Sequence, residues 1–290
     1  MALGLRSVRQ AAVDRVDALV LRRMATLLSR AEQGVGRRVQ DVRSAVAESV
    51  SGVPDPAFVD ALTPIFSGAW DRTTGDMYAS AGLRQAVLDQ FHRVYYHAPW
   101  RTWQNTRYRG VLTAKCPLDM WIYQEIVHEV RPDVIVEAGT NRGGSALYLA
   151  DLCETIGNGR VVTIDIEDLA AGVTHPRMTK LLGSSTDRAI HAEVLTHVGD
   201  AASVLVILDS DHSRAHVRDE LRMWSDVVTP GSYLIVEDSN VNGHPVLPSF
   251  GPGPWEALHE FVESDGRFVI DDSREKFMLT FNPRGYLRRS

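Results

Sequence analysis

A chain of 290 residues with 44% hydrophobic side chains is long enough to bury one full α/β core with an accessory segment beside it. Its net charge of −6 and pI near 5.9 offer no concentrated basic face, which argues against nucleic acid as a partner. Two cysteines, Cys116 and Cys153, give no disulfide framework and read as small buried hydrophobes, while the lack of an apolar run near the ~20 residues of a membrane span, or of a signal-peptide core, sets the expected location in the cytoplasm.

Near the N-terminus, Val13, Val16, Val20, Met24, Leu27 and Leu28 recur at helical spacing, and Arg9, Arg15, Arg22, Arg23 and Arg30 take other faces. That pattern predicts an amphipathic basic helix over residues 3–30. Packing on the rest of the chain or on a second subunit, attachment to a membrane surface, and a partly ordered tail are the roles open to it. Because no partner within the chain is evident, a homo-oligomer is expected. Gly34 and Gly36, and then Gly52, Pro54 and Pro56, mark breaks, and a second helical stripe covers residues 80–97. The expected division is a helical extension over residues 1–98 and one α/β domain over residues 99–290.

Within that domain, an apolar run from residue 134 reaches Glu137 and a turn containing Gly139, Gly143 and Gly144, and a helix follows from Ser145. Glycines there let the chain turn tightly and let a ligand approach backbone amides that no side chain covers. A second strand over residues 161–166 carries Asp165, placed to accept hydrogen bonds from ribose hydroxyls. The spacing fits a nucleoside cofactor. A dinucleotide fingerprint would read Gly-x-Gly-x-x-Gly, whereas this turn reads Glu137-x-Gly139-x-x-x-Gly143-Gly144. An acid just before the first glycine repels pyrophosphate but suits a cationic sulfonium with an amino-acid tail, so S-adenosylmethionine is favoured over NAD.

Two more apolar runs end in acids. One leads into Asp209, Asp211 and His212, the other into Glu237 and Asp238. As parallel strands of one sheet they would crowd these carboxylates on one edge with His212 beside them, an arrangement that needs a cation; oxygen donors suit Mg2+ or Mn2+. The competing readings are a helix cap for His212 and ordinary strand-end acids for Glu237 and Asp238. Residues 242–255 hold four prolines and three glycines, a stiff loop placed to wall an acceptor pocket. His244 is a candidate acceptor contact there, and Trp255 either a core aromatic or a sugar-stacking one. Residues 276–282 read as an antiparallel strand at the sheet edge.

Several of these segments, in this order, carry a resemblance: residues 115–125, the glycine turn after Glu137, and residues 164–166, 183–187, 208–213, 236–240 and 251–257. From about Trp103 to Leu287 the chain resembles the cephalosporin hydroxylase and rhamnosyl O-methyltransferase family, a class I methyltransferase-fold group that is also similar to macrolide-sugar O-methyltransferases. The resemblance implies an α/β fold, a Rossmann-like and mostly parallel sheet with helices on both faces and an antiparallel strand near the C-terminus. It implies metal ligation by Asp209, Glu237 and Asp238, with Asp211 an additional acid, and His212 as general base. It implies cofactor contacts from Glu137, Gly139, Thr140, Gly143, Ser145 and Asp165, with Ser184, Ser185 and Asp187 around the adenine. Residues 115–125, with Lys115, Trp121, Tyr123 and Gln124, are expected in a helix over the cofactor, Trp121 packed and Tyr123 open to a substrate role.

The implied activity is S-adenosylmethionine- and metal-dependent O-methylation of a sugar hydroxyl in a glycoside: an antibiotic deoxysugar, a rhamnosyl glycolipid or a mannose-type polysaccharide. Chelation of adjacent hydroxyls would activate and orient the acceptor, and His212 would take its proton. Two other classes stay open. An iron oxygenase would want two histidines and one carboxylate, against the single nearby histidine here. A non-catalytic cofactor-binding component of a cephalosporin-type hydroxylation and methoxylation system would not need the acids.

Overall fold

The computed structural model describes residues 81–290, so the expected helix over residues 3–30 and the breaks that follow it lie outside the described residues. The chain divides into two compact units, residues 1–88 and residues 89–290. Of the first, only residues 81–88 are described, the opening turns of helix α1 (Ala81–Tyr96).

In the second unit, a small antiparallel pair, β1 (Arg107–Tyr108) and β2 (Val111–Leu112), precedes helix α2 (Pro117–Val130). Strands β3 (Val134–Ala138), β4 (Arg160–Asp165), β5 (Met178–Leu182), β6 (Val204–Leu208), β7 (Tyr233–Val236), β8 (Phe268–Ile270) and β9 (Tyr286–Arg289) form one sheet in the order β5-β4-β3-β6-β7-β9-β8. Pairing is parallel from β5 to β7 and antiparallel from β7 through β9 to β8.

Every residue of β3, β6 and β7 is buried, as continuous apolar runs require when both faces are covered. Alternation along the strands divides the core. Val134, Val136, Val206 and Leu234 face α4 (Arg188–Val198), α5 (Arg214–Trp224) and α6 (Pro254–Ser264), whereas Ile135, Leu205, Ile207 and Ile235 face α2 and α3 (Gly144–Thr155). Local chemistry starts these helices. Pro117 and Pro254 open α2 and α6, while the side chains of Asp187 and Ser213 cap α4 and α5. The cap of α5 is therefore Ser213, not His212.

Three expectations are corrected here. Residues 276–282 form no strand; the antiparallel strand next to β7 is β9, and it lies inside the sheet. The 276–282 segment is pinned instead by buried Asp119, which accepts hydrogen bonds from Thr280 Oγ1 (2.5 Å) and Phe281 N (2.8 Å), while Leu279 and Phe281 pack on Cys116. Trp121 is 57% exposed rather than packed, because the buried stripe of α2 runs through Asp119, Ile122, Tyr123, Ile126 and Val127. Lys115 lies ahead of α2, not within it.

From β3 the chain builds outward through β4 to β5, then returns to place β6 and β7 on the other side. That reversal opens a crevice at the carboxyl ends of the strands, the usual ligand position in such sheets. Gly139 is what lets it form. A Cβ at this position would lie 1.8 Å from the Asp209 carbonyl oxygen, and its φ of +101° belongs to glycine.

Candidate active site

A cleft of about 590 Å³ follows this edge of the sheet. Asp165 and the Gly183–Ser184–Ser185 turn line one end, Gly139 the middle, and Asp209, His212 and Asp238 the other. The strand order β5-β4-β3-β6-β7 accounts for that sequence of residues along the cleft.

Not all the expected cofactor residues border it. Gly139, Asp165, Ser184 and Ser185 do. Asp165 uses one oxygen to hold Asn141 N (2.7 Å) and the other to hold Glu167 N (3.0 Å), which fixes the loop after β4 against the glycine turn. Thr140 hydrogen-bonds Thr163 through their hydroxyls (2.7 Å) and borders a smaller hollow beside Asp165. Gly143 starts α3 at φ +83°, and Gly144 lets α3 approach β2, since a Cβ there would meet Thr113 Oγ1 at 2.4 Å. Ser145 is buried behind this turn. Asp187 is engaged as the cap of α4, accepting from Ala189 N at 2.7 Å. Glu137 is fully buried in β3, where its Oε2 accepts from Thr163 Oγ1 (2.6 Å) and its Oε1 has no hydrogen-bond partner among the described residues. Burial pushes this carboxyl's pKa up, and the charge of Lys115 opposes the shift.

The acid end contains a residue whose role the sequence did not reveal. The Lys115 ammonium, 5% exposed, donates to Asp209 Oδ2 and to Glu237 Oε1, the latter at 2.6 Å. Burial alone would lower its pKa, but Asp209, Glu237 and Glu137 hold it above the ordinary value. Glu237, almost wholly buried, is driven well up by desolvation and then by repulsion from Asp209, with Lys115 opposing. Desolvation also raises Asp238, whose Oδ2 lies 3.4 Å from His212 Nε2. Asp238 takes a left-handed φ of 52°, uncommon for a non-glycine residue, and its N–H donates to Asn282 Oδ1 at 3.2 Å.

One ligand atom each from Asp209, His212 and Asp238 lies within 4.8 Å of the others. The Asp209 and Asp238 carboxylates, at the ends of adjacent strands, fit a small divalent ion such as Mg2+ or Mn2+, and the His212 imidazole stands beside them. Glu237 stands outside that trio, its Oε1 held by Lys115. Asp211 borders the cleft, but one oxygen accepts from Ser213 N at 2.7 Å.

The three expected acceptor contacts are not among the residues lining the cleft. Tyr123 is 2% exposed and its hydroxyl accepts from Asn282 Nδ2 (2.8 Å). His244 stacks on Trp255 at 4.2 Å and lies 3.2 Å from Glu256 Oε1, in the loop leading to α6. Aromatic lining comes instead from Tyr96 and Trp103, whose rings stack at 5.2 Å. Burial, and then the charge of Asp238, push the Tyr96 hydroxyl up to about 12. His216 borders the cleft as well, with Nε2 3.1 Å from both Ser185 Oγ and Ser210 Oγ.

Comparison with known proteins gives the family. Residues 100–290 match the family model for rhamnosyl O-methyltransferase/CmcI. A rhamnosyl O-methyltransferase of Mycobacterium tuberculosis strain H37Rv is 40% identical over 212 residues, covering 71% of this chain and 86% of that protein. Its counterpart in Mycobacterium leprae is 38% identical over 210 residues, covering 70% and 91%. A CmcI structure with Mg and SAM superposes with TM-score 0.50 at 24% identity, covering 64% of this chain and 77% of that one, which shows a shared fold. The chain therefore belongs to the rhamnosyl O-methyltransferase/CmcI family and is an S-adenosylmethionine-dependent O-methyltransferase.

Proposed function

We propose that this enzyme methylates a sugar hydroxyl of a glycoside with the help of a divalent ion at the Asp209–Asp238 end of the cleft. The convergence of Asp209, His212 and Asp238 in the cleft that also holds Asp165 carries the reading. The mycobacterial relatives, named rhamnosyl O-methyltransferases, and the CmcI structure that holds Mg and SAM support it. A rhamnosyl glycolipid, a mannose-type polysaccharide and those antibiotic deoxysugars that keep two adjacent hydroxyls all suit chelation by such an ion.

When bound, S-adenosylmethionine supplies an electrophilic methyl group on cationic sulfur, and Mg2+ or Mn2+ lowers the pKa of a hydroxyl that it holds. Asp165 is placed to accept from the ribose hydroxyls, Ser184 and Ser185 border the adenine end, and the bare backbone at Gly139 admits the amino-acid tail. Asp209, Glu237 and Asp238 would hold the ion, the first two being carboxylates that Lys115 also holds. His212, 30% exposed, takes the proton of the acceptor hydroxyl, and the Asp238 carboxylate beside it stabilises the imidazolium that results. Tyr96 and Trp103 offer an aromatic face for the sugar's C–H groups.

Mass spectrometry of the reaction of purified enzyme, S-adenosylmethionine and Mg2+ with a panel of rhamnosides should show a gain of one methyl group on the sugar. Methylation restricted to non-sugar acceptors would overturn the reading. A mononuclear iron oxygenase is disfavoured by the donor set, which brings one histidine to two carboxylates.

A further inference from the structure

Three carboxylates meet at the ends of β6 and β7, and Asp209 and Glu237 share a single ammonium. Such a cluster is unstable without compensation, because buried like charges repel and desolvation favours their neutral forms. Lys115 is anchored for the task. Its backbone N–H donates to Thr106 Oγ1 (3.1 Å), its carbonyl accepts from the same hydroxyl (3.0 Å), and Ala114 before it turns at φ +53°. Next to it, Cys116 and Pro117 start α2. The stem therefore enters from a fixed point, and the ammonium bridges two neighbouring strand ends rather than solvent.

The oxygens that Lys115 holds are among those a divalent ion would use. Asp209 Oδ2 and Glu237 Oε1 are occupied by the ammonium, and the group that converges within 4.8 Å consists of Asp209, His212 and Asp238. We propose that Lys115 is a resident counter-cation: it keeps Asp209 and Glu237 ordered in the metal-free enzyme and competes with the divalent ion for them. The inference rests on the metal reading above. It explains how a site built of acids stays folded while the ion comes and goes, and it makes ion binding weak by design, since Glu237 joins only by leaving the ammonium.

The test uses the full chain, with Mn2+ as probe, and compares wild type with Lys115→Met and Lys115→Arg. Free Mn2+ is followed by electron paramagnetic resonance, and melting temperature is measured with Mn2+ and with EDTA. Lys115→Met should bind Mn2+ at least about tenfold more tightly than wild type, because a nearby positive charge is gone. Its melting temperature should fall in EDTA, while that of wild type changes little, as expected when a bound ion replaces the lysine as compensation. Lys115→Arg, which keeps the charge, should resemble wild type. Equal or weaker Mn2+ binding by Lys115→Met would overturn the proposal, as would a variant that fails to fold even with Mn2+ present. Failure of the metal reading looks different: neither wild type nor Lys115→Met would bind Mn2+, and methyl transfer would survive EDTA.

Discussion

At Asp238 the backbone adopts φ 52°, the carboxylate lies 3.4 Å from His212, and the cleft opens beside it. The left-handed backbone recurs at two other residues of the cleft, Ala114 at φ 53° and Asn141 at φ 45°, and strain of this kind collects where function holds it. Asp238→Asn and Asp209→Asn should each abolish measurable turnover while leaving S-adenosylmethionine affinity within a few fold, as titration calorimetry would show, because the proposed cofactor end, at Asp165 and Ser184, lies across Gly139 from these acids. Loss of cofactor binding in either variant would contradict that layout. His212→Ala should slow methyl transfer by roughly 10²-fold or more, the scale of a general base, and an unchanged single-turnover rate would remove it from the chemistry. Gly139→Ala belongs to a different class. Its Cβ would meet a backbone carbonyl at 1.8 Å, and a φ of +101° is hostile to alanine, so loss of both cofactor binding and several degrees of melting temperature is expected.

Among elements, the end of α1 is tied to the cleft's supporting loops by one buried histidine. His92 accepts from Asn240 Nδ2 (2.9 Å) and stacks on Phe281 at 5.6 Å, and burial lowers its pKa to about 4. A depressed folded pKa means that the unfolded chain binds the proton first as pH falls. The stability contributed by neutral His92 is therefore complete above ~6.5 and is lost as pH drops toward about 4, a change of up to ~3 kcal/mol. His92→Gln should flatten that acid limb in denaturant titrations between pH 7 and pH 4; an unchanged slope would show that the histidine does not supply it. The elements themselves were unequally legible. β3, β6 and β7 announce themselves because continuous apolar runs ending in an acid or glycine have few alternatives in a parallel sheet. Residues 276–282 read as an antiparallel edge strand because the fold class expects one there, yet Asp119, distant in sequence, captures their hydrogen-bonding groups. Lys115 was visible as a residue but not as a cation within the acid cluster, since its partners lie 94 and 122 positions away. Tyr96 and Trp103 gave no signal that separates a cleft wall from a core. His244 reads from the loop's composition as a candidate acceptor contact and Trp255 as either a core or a sugar-stacking aromatic, and the two rings stack on each other.

For the molecule as a whole, one sheet edge sets Asp165, Ser184 and Ser185 and the acids Asp209 and Asp238 in a single cleft, with the topological reversal at Gly139 between them. In the proposed reaction this frame would hold acceptor and donor for in-line transfer, which is how orientation lowers a barrier. Ion dependence is the property that the frame implies most directly. The decisive measurement is methyl transfer from labelled S-adenosylmethionine to a rhamnoside, with enzyme stripped by EDTA and then titrated with Mg2+. Activity should vanish on stripping and return in proportion to the ion bound, with Asp238→Asn remaining silent at every concentration. Full activity in the stripped enzyme would contradict a divalent ion at this edge.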